Sequence, residues 1–119
     1  MPHVTWFEVP ADDTGRAGNF YRELFGWKIE PFPVPFKKDF WAISAGGGIG
    51  GDLFRREEAG QCMMLYIDVL SIDDYLERIR DLGGRVLTGR TAVPGMGWLA
   101  VCEDTEGNRF GLWQGESEE

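Results

Sequence analysis

Hydrophobic and polar side chains alternate along two short stretches of the chain, residues 4–9 and residues 64–69. Alternation with a period of two predicts a β-strand with one buried face. Each stretch leads into a segment with helical periodicity, residues 14–25 and residues 72–82, and each of these is followed by glycine. Because glycine adopts the left-handed conformation that commonly ends a helix, we expect both helices to end there. The chain therefore carries a strand–helix pattern twice.

Both predicted helices are amphipathic, with an apolar stripe expected to pack on a sheet. The stripe of the first helix consists of Ala17, Phe20, Tyr21, Leu24 and Phe25. The stripe of the second helix consists of Ile72, Tyr75, Leu76, Ile79 and Leu82. Ser71 and Asp74 have the spacing of a capping box, and Asp12, Asp13 or Thr14 is expected to cap the first helix.

Three strand-like segments follow each helix. They cover residues 27–30, 40–44 and 48–54 after the first helix, and residues 85–88, 98–103 and 109–114 after the second. The duplicated unit predicts one α+β domain over residues 1–119, with a first module at about residues 1–57 and a second at about residues 61–115. Residues 31–36 carry a proline at every other position, so we expect a stiff extended loop there.

The bulk properties narrow the class of protein and of partner. A length of 119 residues suits one domain, and 43% hydrophobic with 27% charged residues is typical of a globular protein. The net charge of −8 argues against a nucleic-acid or anionic-membrane surface and is compatible with a small-molecule partner. No apolar run is long enough to span a bilayer, and no secretory signal is visible. Two cysteines make no disulfide framework, so we expect a cytoplasmic protein.

Common catalytic arrangements are missing from the sequence. His3 is the only histidine, so neither a Ser-His-Asp triad nor a histidine-activated Cys102 is available. The glycine-rich residues 46–51 lack the Lys-Ser/Thr pair of a phosphate-binding loop and do not open a helix. We interpret them as a strand with permissive glycines, where another backbone or a ligand approaches closely.

Several motifs resemble one known family. Residues 20–27, Phe-Tyr-Arg-Glu-Leu-Phe-Gly-Trp, resemble the first-helix signature of the glyoxalase, bleomycin-resistance and extradiol-dioxygenase superfamily, also called vicinal oxygen chelate. Residues 103–113 resemble its closing hairpin, and residues 82–86 fit the helix exit of its second module. The closest subgroup is the small proteins related to lactoylglutathione lyase. The resemblance implies two βαβββ modules that form a cup-shaped, curved mixed β-sheet with the helices on the outside.

The resemblance also implies where a metal would be held. Metal-dependent members place up to four His, Glu or Gln ligands inside the cup, on the first and last strands of each half. The three clear positions carry Val4, Met64 and Gly111. Because none of these is a zinc or iron ligand, we expect no metal site and no cofactor. The fourth position lies within residues 48–53, where only Asp52 could ligate, and His3 is expected to be an ordinary residue at the strand end.

Alternation along the strands predicts which side chains face the cup. The residues expected to pack on the helices are Phe7, Val9, Leu65, Ile67 and Val69. The side chains between them then point inward, and a tryptophan from each half joins them. The candidate ligand-binding residues are Trp6, Glu8, Trp41, Met64, Tyr66, Asp68, Trp98 and Trp113. Large rings on the concave side of a cup suit a planar, weakly polar ligand.

Glu8 and Asp68 are equivalent acids in the repeat, and two interpretations of them stay open. As functional groups, carboxylates in a partly apolar cup act as a general base or hold a cationic ligand. As structural groups, they bind a backbone amide or an arginine such as Arg16 or Arg109.

Three functions follow as hypotheses. The first is a metal-free protein that binds a small, planar or aromatic molecule, as antibiotic-sequestering members of the family do. The second is an enzyme, a lyase or isomerase of glyoxalase type, with a metal-free base or with a metal on unusual ligands. The side chains available as such ligands are Glu8, Asp52, Asp68 and His3. The third, an accessory module with a protein partner in the cup, has no specific support in the sequence. A homodimer, in some members with modules swapped between chains, is implied by the resemblance.

Overall fold

The computed structural model of the chain describes residues 1–33 and 38–116. The elements follow one another as β1 (His3–Ala11), α1 (Thr14–Phe25), β2 (Lys28–Pro31), β3 (Phe40–Ser44), β4 (Gly50–Arg55), β5 (Met64–Asp68), α2 (Ile72–Asp81), β6 (Arg85–Val93), β7 (Gly97–Glu103) and β8 (Arg109–Gly115). A strand, a helix and three strands thus occur twice in the same order. The predicted α+β fold of two βαβββ modules is confirmed.

The chain divides into two compact units. The first consists of Trp6–Met63, and the second consists of Met1–Thr5 together with Met64–Glu119. In the first unit the strand order is β2-β3-β4-β1, with β1 parallel to β4 and the other neighbours antiparallel. In the second unit the order β5-β8-β7-β6 repeats this arrangement, with β5 parallel to β8. The two units therefore share one topology, and their organisation as a single domain stays a prediction.

Helix α1 begins and ends where the sequence predicts. The Asp13 side chain accepts a hydrogen bond from the backbone N–H of Arg16 at 2.9 Å, and Gly26 ends the helix with a φ of 71°. The core beneath α1 consists of Val9, Ala11, Ile29, Ile43 and Leu53. Gly18 is the buried residue of the helix, and a Cβ at that position would lie 3.6 Å from Cδ2 of Leu53, in ordinary van der Waals contact.

The predicted apolar stripe of α1 is wrong in part. Ala17 and Tyr21 pack on the core, but Phe20, Leu24 and Phe25 are each more than half exposed. Phe20 and Leu24 lie one turn apart, to one side of the helix face that contacts the core through Ala17 and Tyr21. Phe25 is the last residue of the helix. The buried stripe is therefore narrower than the apolar stripe in the sequence.

Helix α2 is anchored at its start by two side chains. The Ser71 hydroxyl accepts a hydrogen bond from the backbone N–H of Asp74 at 3.3 Å, as predicted for the cap. The buried side chain of Gln114 accepts a second one from the backbone N–H of Ile72 at 2.9 Å. The core beneath α2 consists of Val69, Ile72, Leu76, Ala100, Cys102 and Leu112. Leu82 was expected in this core but is exposed, because the helix ends before it and the chain turns away.

Two further expectations are corrected. Leu65 is half exposed, because the side chains of β5 that pack beneath α2 begin at Ile67. Strand β6 continues to Val93, past its predicted end at residue 88, with register shifts that the exposed sequence does not reveal.

The proline-rich segment starts inside a strand. Pro31 is the last residue of β2, opposite Trp41. Residues 34–36 of the expected loop lie outside the described residues. In the part of the chain that the structure describes, no helix is long and apolar enough to cross a membrane.

Candidate ligand-binding faces

Each unit has one sheet face that packs on its own helix and one that does not; we name the second the far face. In the first unit, β1 and β4 run in register, so that Trp6 lies beside Gly50 and Glu8 beside Asp52. Because the alternate residues, such as Leu53, pack beneath α1, these four residues share the far face.

Asp52 is the most buried polar residue on the far face of the first unit, with 1% of its surface exposed. The indole N–H of Trp6 donates a hydrogen bond to Oδ2 of Asp52 at 2.7 Å. The Trp6 ring also lies over Gly50, where a Cβ would come within 3.1 Å of Cζ3. The sequence indicated Asp52 only as an uncertain metal ligand, because the register of β1 against β4 is set by the fold and not by local pattern.

The far face of the second unit is more apolar. Tyr66 lies in register with Gly111 and Asp68 with Trp113, on the parallel pair of β5 and β8. Tyr66 is 7% exposed, and its ring fills the space that a side chain at Gly111 would need. The antiparallel pair of β7 and β8 adds Leu99 and Val101 to this face, both half-buried, which the sequence reasoning missed.

The two far faces repeat one arrangement. In each unit an aromatic ring of the first strand lies over a glycine of the last strand, Trp6 over Gly50 and Tyr66 over Gly111. The next pair along the same two strands differs between the units. It consists of Glu8 and Asp52 in the first unit and of Asp68 and Trp113 in the second. The duplication therefore preserves the ring-on-glycine packing and varies the polar group next to it.

Two of the candidate residues lie elsewhere. Trp41 stands opposite Leu53 and packs on the core beneath α1. Trp98 packs on the core beneath α2, with the Arg90 guanidinium 5.3 Å from its ring centre. The expected inward direction of both rings is corrected accordingly, since alternation within one strand does not give its register against the next. The candidates that the far faces do hold are Trp6 and Glu8 in the first unit and Met64, Tyr66, Asp68 and Trp113 in the second.

Several ionisable groups are fixed by their surroundings. Hydrogen bonds from the Thr14 hydroxyl, at 2.5 Å, and from the Trp41 indole, at 2.9 Å, hold the pKa of Asp39 below its ordinary value. Burial raises the pKa of the Cys102 thiol, which disfavours the thiolate form that a nucleophile needs. Arg16, suggested as a partner for the inward acids, instead lies 4.0 Å from Asp13 in the first turn of α1.

The residues present do not fit the metal site of the superfamily. Val4, Met64 and Gly111 offer no nitrogen or carboxylate donor, and the Tyr66 ring takes the space beside Gly111. His3 is exposed, with its ring Nδ1 3.1 Å from the carbonyl oxygen of Met1. Across residues 1–33 and 38–116, no three His, Cys, Asp or Glu side chains are grouped so as to hold a metal ion.

Comparisons with known proteins show what the chain is similar to. The model of the bleomycin resistance protein-like N-terminal family matches residues 3–37. Putative glyoxylase CFP32 of Mycobacterium tuberculosis is 25% identical over 92% of this chain. The chain spans 44% of the length of that relative.

Solved structures share the fold over nearly the whole chain. A glyoxalase/bleomycin resistance protein/dioxygenase superfamily member from Vibrio splendidus has a TM-score of 0.69 at 15% identity, over 96% of this chain and 99% of its own. A Streptomyces coelicolor methylmalonyl-CoA epimerase variant in complex with 2-nitronate-propionyl-CoA has a TM-score of 0.68 at 17% identity, over 97% and 95% of the two chains. The resemblance to this superfamily that the sequence motifs indicate is confirmed.

Proposed function

We propose that this glyoxalase-like chain binds a small, planar or aromatic molecule on the far faces of its units, without the metal site usual in the superfamily. The observation that carries the proposal is the far face of the second unit. There the half-buried side chains of Trp113, Leu99 and Val101 form an aromatic and aliphatic surface over the buried Tyr66 ring, with the carboxylate of Asp68 beside Trp113.

Physical chemistry favours an aromatic ligand on such a surface. Ligand sites are mostly apolar, with a few polar groups that fix orientation. Offset or edge-to-face contact between aromatic rings contributes about 0.5–1.5 kcal/mol beyond the burial of area. Asp68, and Glu8 on the other far face, supply carboxylates that accept hydrogen bonds from a donor group of the ligand.

The superfamily supports a small-molecule ligand in general terms. The Streptomyces coelicolor epimerase holds a CoA ester on the same fold. Which molecule this chain binds is set by its own residues, and these favour rings over a metal-chelated substrate. The homodimer and the cytoplasmic location remain expectations from sequence.

A thermal-shift screen tests the proposal, with planar antibiotics and aromatic metabolites as probes. Hits are then titrated by calorimetry against wild type and two variants. Trp113→Leu removes a ring from the far face, whereas Trp98→Leu removes one from the helix side of the neighbouring strand. We expect Trp113→Leu to raise the Kd at least about tenfold, which is about 1.4 kcal/mol, and Trp98→Leu to leave it nearly unchanged.

Two results would count against the proposal. A flat response across the whole library would remove small-molecule binding, and equal effects of the two variants would remove the far face as its location. The enzyme hypothesis is tested by metal analysis of protein purified without chelator, together with a lactoylglutathione lyase assay. Stoichiometric metal would contradict the metal-free part of the proposal, and turnover would favour the enzyme hypothesis over binding alone.

A further inference from the structure

A groove of about 410 Å³ lies beside α1 in the first unit. It is bounded by the first half of α1 and by the chain that follows β4, and the buried end of β1 lines its bottom with Val9, Pro10 and Ala11. This volume is within the range of small-molecule sites, which is about 300–1,000 Å³. Because α1 and the far face lie on opposite sides of the sheet, the groove is a separate candidate site.

One wall of the groove is a face of α1. The four helix residues that form it are spaced so that they share one side of the helix, and they are Arg16, Ala17, Phe20 and Tyr21. Phe20 meets Tyr21 edge-on at a ring-centre distance of 5.3 Å, and Tyr21 stacks on Trp27 at 5.4 Å. Rings that already support one another lose little side-chain freedom when a ligand binds. The wall therefore presents a fixed aromatic surface with a guanidinium one helical turn away.

The other wall is held in place by hydrogen bonds of Arg56. Its backbone N–H donates to the carbonyl oxygen of Ala11 at 2.8 Å, and its guanidinium donates to the carbonyl oxygen of Gln61. Met63 follows this turn, is 62% exposed and lines the groove together with Phe20. The thioether of methionine makes favourable contacts with aromatic rings. An aromatic ring in the groove can therefore contact a preformed surface on both sides.

The charged side chains of the groove decide which polar group suits the ligand. Asp12 and Arg56 form an ion pair at 2.9 Å, so these two charges offset each other. Asp13 caps α1, where the positive end of the helix offsets its charge. The Arg16 side chain is 76% exposed, and its guanidinium lies 4.0 Å from Asp13, which is longer than a hydrogen bond. Exposed pairs of this kind contribute little, so the Arg16 guanidinium is available to an anionic ligand.

We infer that this groove is a second binding site, which takes a planar aromatic carboxylic acid. The ring lies against Phe20, Tyr21 and Met63, and the carboxylate accepts hydrogen bonds from the Arg16 guanidinium. Residues four apart on a helix have Cβ atoms about 5–6 Å apart, a span that an aryl ring and its carboxylate can cover. The chain carries −8 overall, so an anion is held only where an arginine is available. Binding in the groove and binding on the far faces are independent of each other.

The test titrates the protein with 2-naphthoate and with its uncharged amide, 2-naphthamide, followed by NMR of the methionine methyl groups. We expect naphthoate to bind wild type and to shift the methyl signal of Met63. Arg16→Gln should raise the Kd of naphthoate about fivefold, as for the loss of an exposed ion pair, and leave the Kd of naphthamide unchanged. Lys28→Gln is the matched control, because it removes a cation that is 72% exposed and does not line the groove.

A second pair of variants tests the aromatic wall. Phe20→Ser should raise the Kd of both probes about tenfold, whereas Leu24→Ser should change neither, because Leu24 is equally exposed on the same helix but does not line the groove. Circular dichroism and melting check that both variants keep the fold.

Three results would overturn the inference. The first is the absence of naphthoate binding to wild type, and the second is a naphthoate Kd that Arg16→Gln leaves unchanged. The third is naphthoate binding that is lost in Trp113→Leu and kept in Phe20→Ser, since the probe would then lie on the far face of the second unit. We expect Trp113→Leu to leave naphthoate binding in the groove unchanged, whether or not the far face binds a ligand.

Discussion

Replacing Gly111 by alanine tests the ring-on-glycine packing of the second far face. A Cβ at this position overlaps the Tyr66 ring and lies 2.9 Å from its Cγ. Tyr66 is almost fully buried, so its ring has no free space into which to move. The alanine therefore forces a shift of the ring or of β8 itself.

The expected magnitude follows from two opposing effects. Overpacking a buried site costs about 1–3 kcal/mol. The loss of backbone freedom in the unfolded chain on changing glycine to alanine returns about 0.4–1 kcal/mol. We therefore expect Gly111→Ala to lower the free energy of unfolding by about 1–2 kcal/mol, and the melting temperature by roughly 4–8 °C.

Gly50→Ala is the matched control at the equivalent position of the repeat. Its Cβ would approach Cζ3 of Trp6 to 3.1 Å, so the ring needs to yield by only a few tenths of an ångström. We expect a change within about 0.5 kcal/mol there. Urea unfolding followed by tryptophan fluorescence compares the variants. In a Tyr66→Leu background, Gly111→Ala should hardly lower the free energy of unfolding, because the ring that the new Cβ overlaps is gone. An undiminished loss of unfolding free energy in that background, or no loss in the wild-type background, would refute the overlap with the Tyr66 ring as the cause.

Two further predictions concern buried hydrogen bonds. Trp6→Phe removes the donor to the buried carboxyl of Asp52, so the free energy of unfolding should fall by about 1–3 kcal/mol in urea titrations; an unchanged midpoint would contradict this. The pKa of Asp39 lies below its ordinary value in the folded chain, chiefly because of the hydrogen bond from Thr14 and then that from Trp41. The carboxylate therefore stabilises the fold above its ordinary pKa, and this contribution is lost as the pH falls through the pKa of the folded chain. Asp39→Asn should therefore flatten the decline of unfolding free energy that sets in below about pH 5, and parallel curves for variant and wild type would contradict the assignment.

The fold was predictable because its signals are local. The end of α1 at Gly26 and the cap of α2 at Ser71 are each set by one residue whose backbone or side chain suits that position. The extent of β6 was not predictable, because its outer part is exposed and carries no alternation to Val93. The sequence thus predicts the boundary of a helix or strand where a single residue sets that boundary.

The sheet face of a candidate site residue was predictable only where it follows from alternation along a single strand. Alternation put Trp6 and Tyr66 on the far faces, and the structure places them there. It misdirected Trp41, because the facing of β3 depends on its register with β4. The pairing of Trp6 with Asp52 was out of reach for the same reason, since the two residues are 46 positions apart.

Binding of an aromatic molecule on the far face of the second unit is open to one direct test. The most direct measurement is a calorimetric titration of wild type, Trp113→Leu and Trp98→Leu with the strongest hit of the thermal-shift screen. We expect saturable binding to wild type, a Kd at least about tenfold higher for Trp113→Leu, and a nearly unchanged Kd for Trp98→Leu. Wild-type affinity in Trp113→Leu, in a variant that is folded, would contradict it.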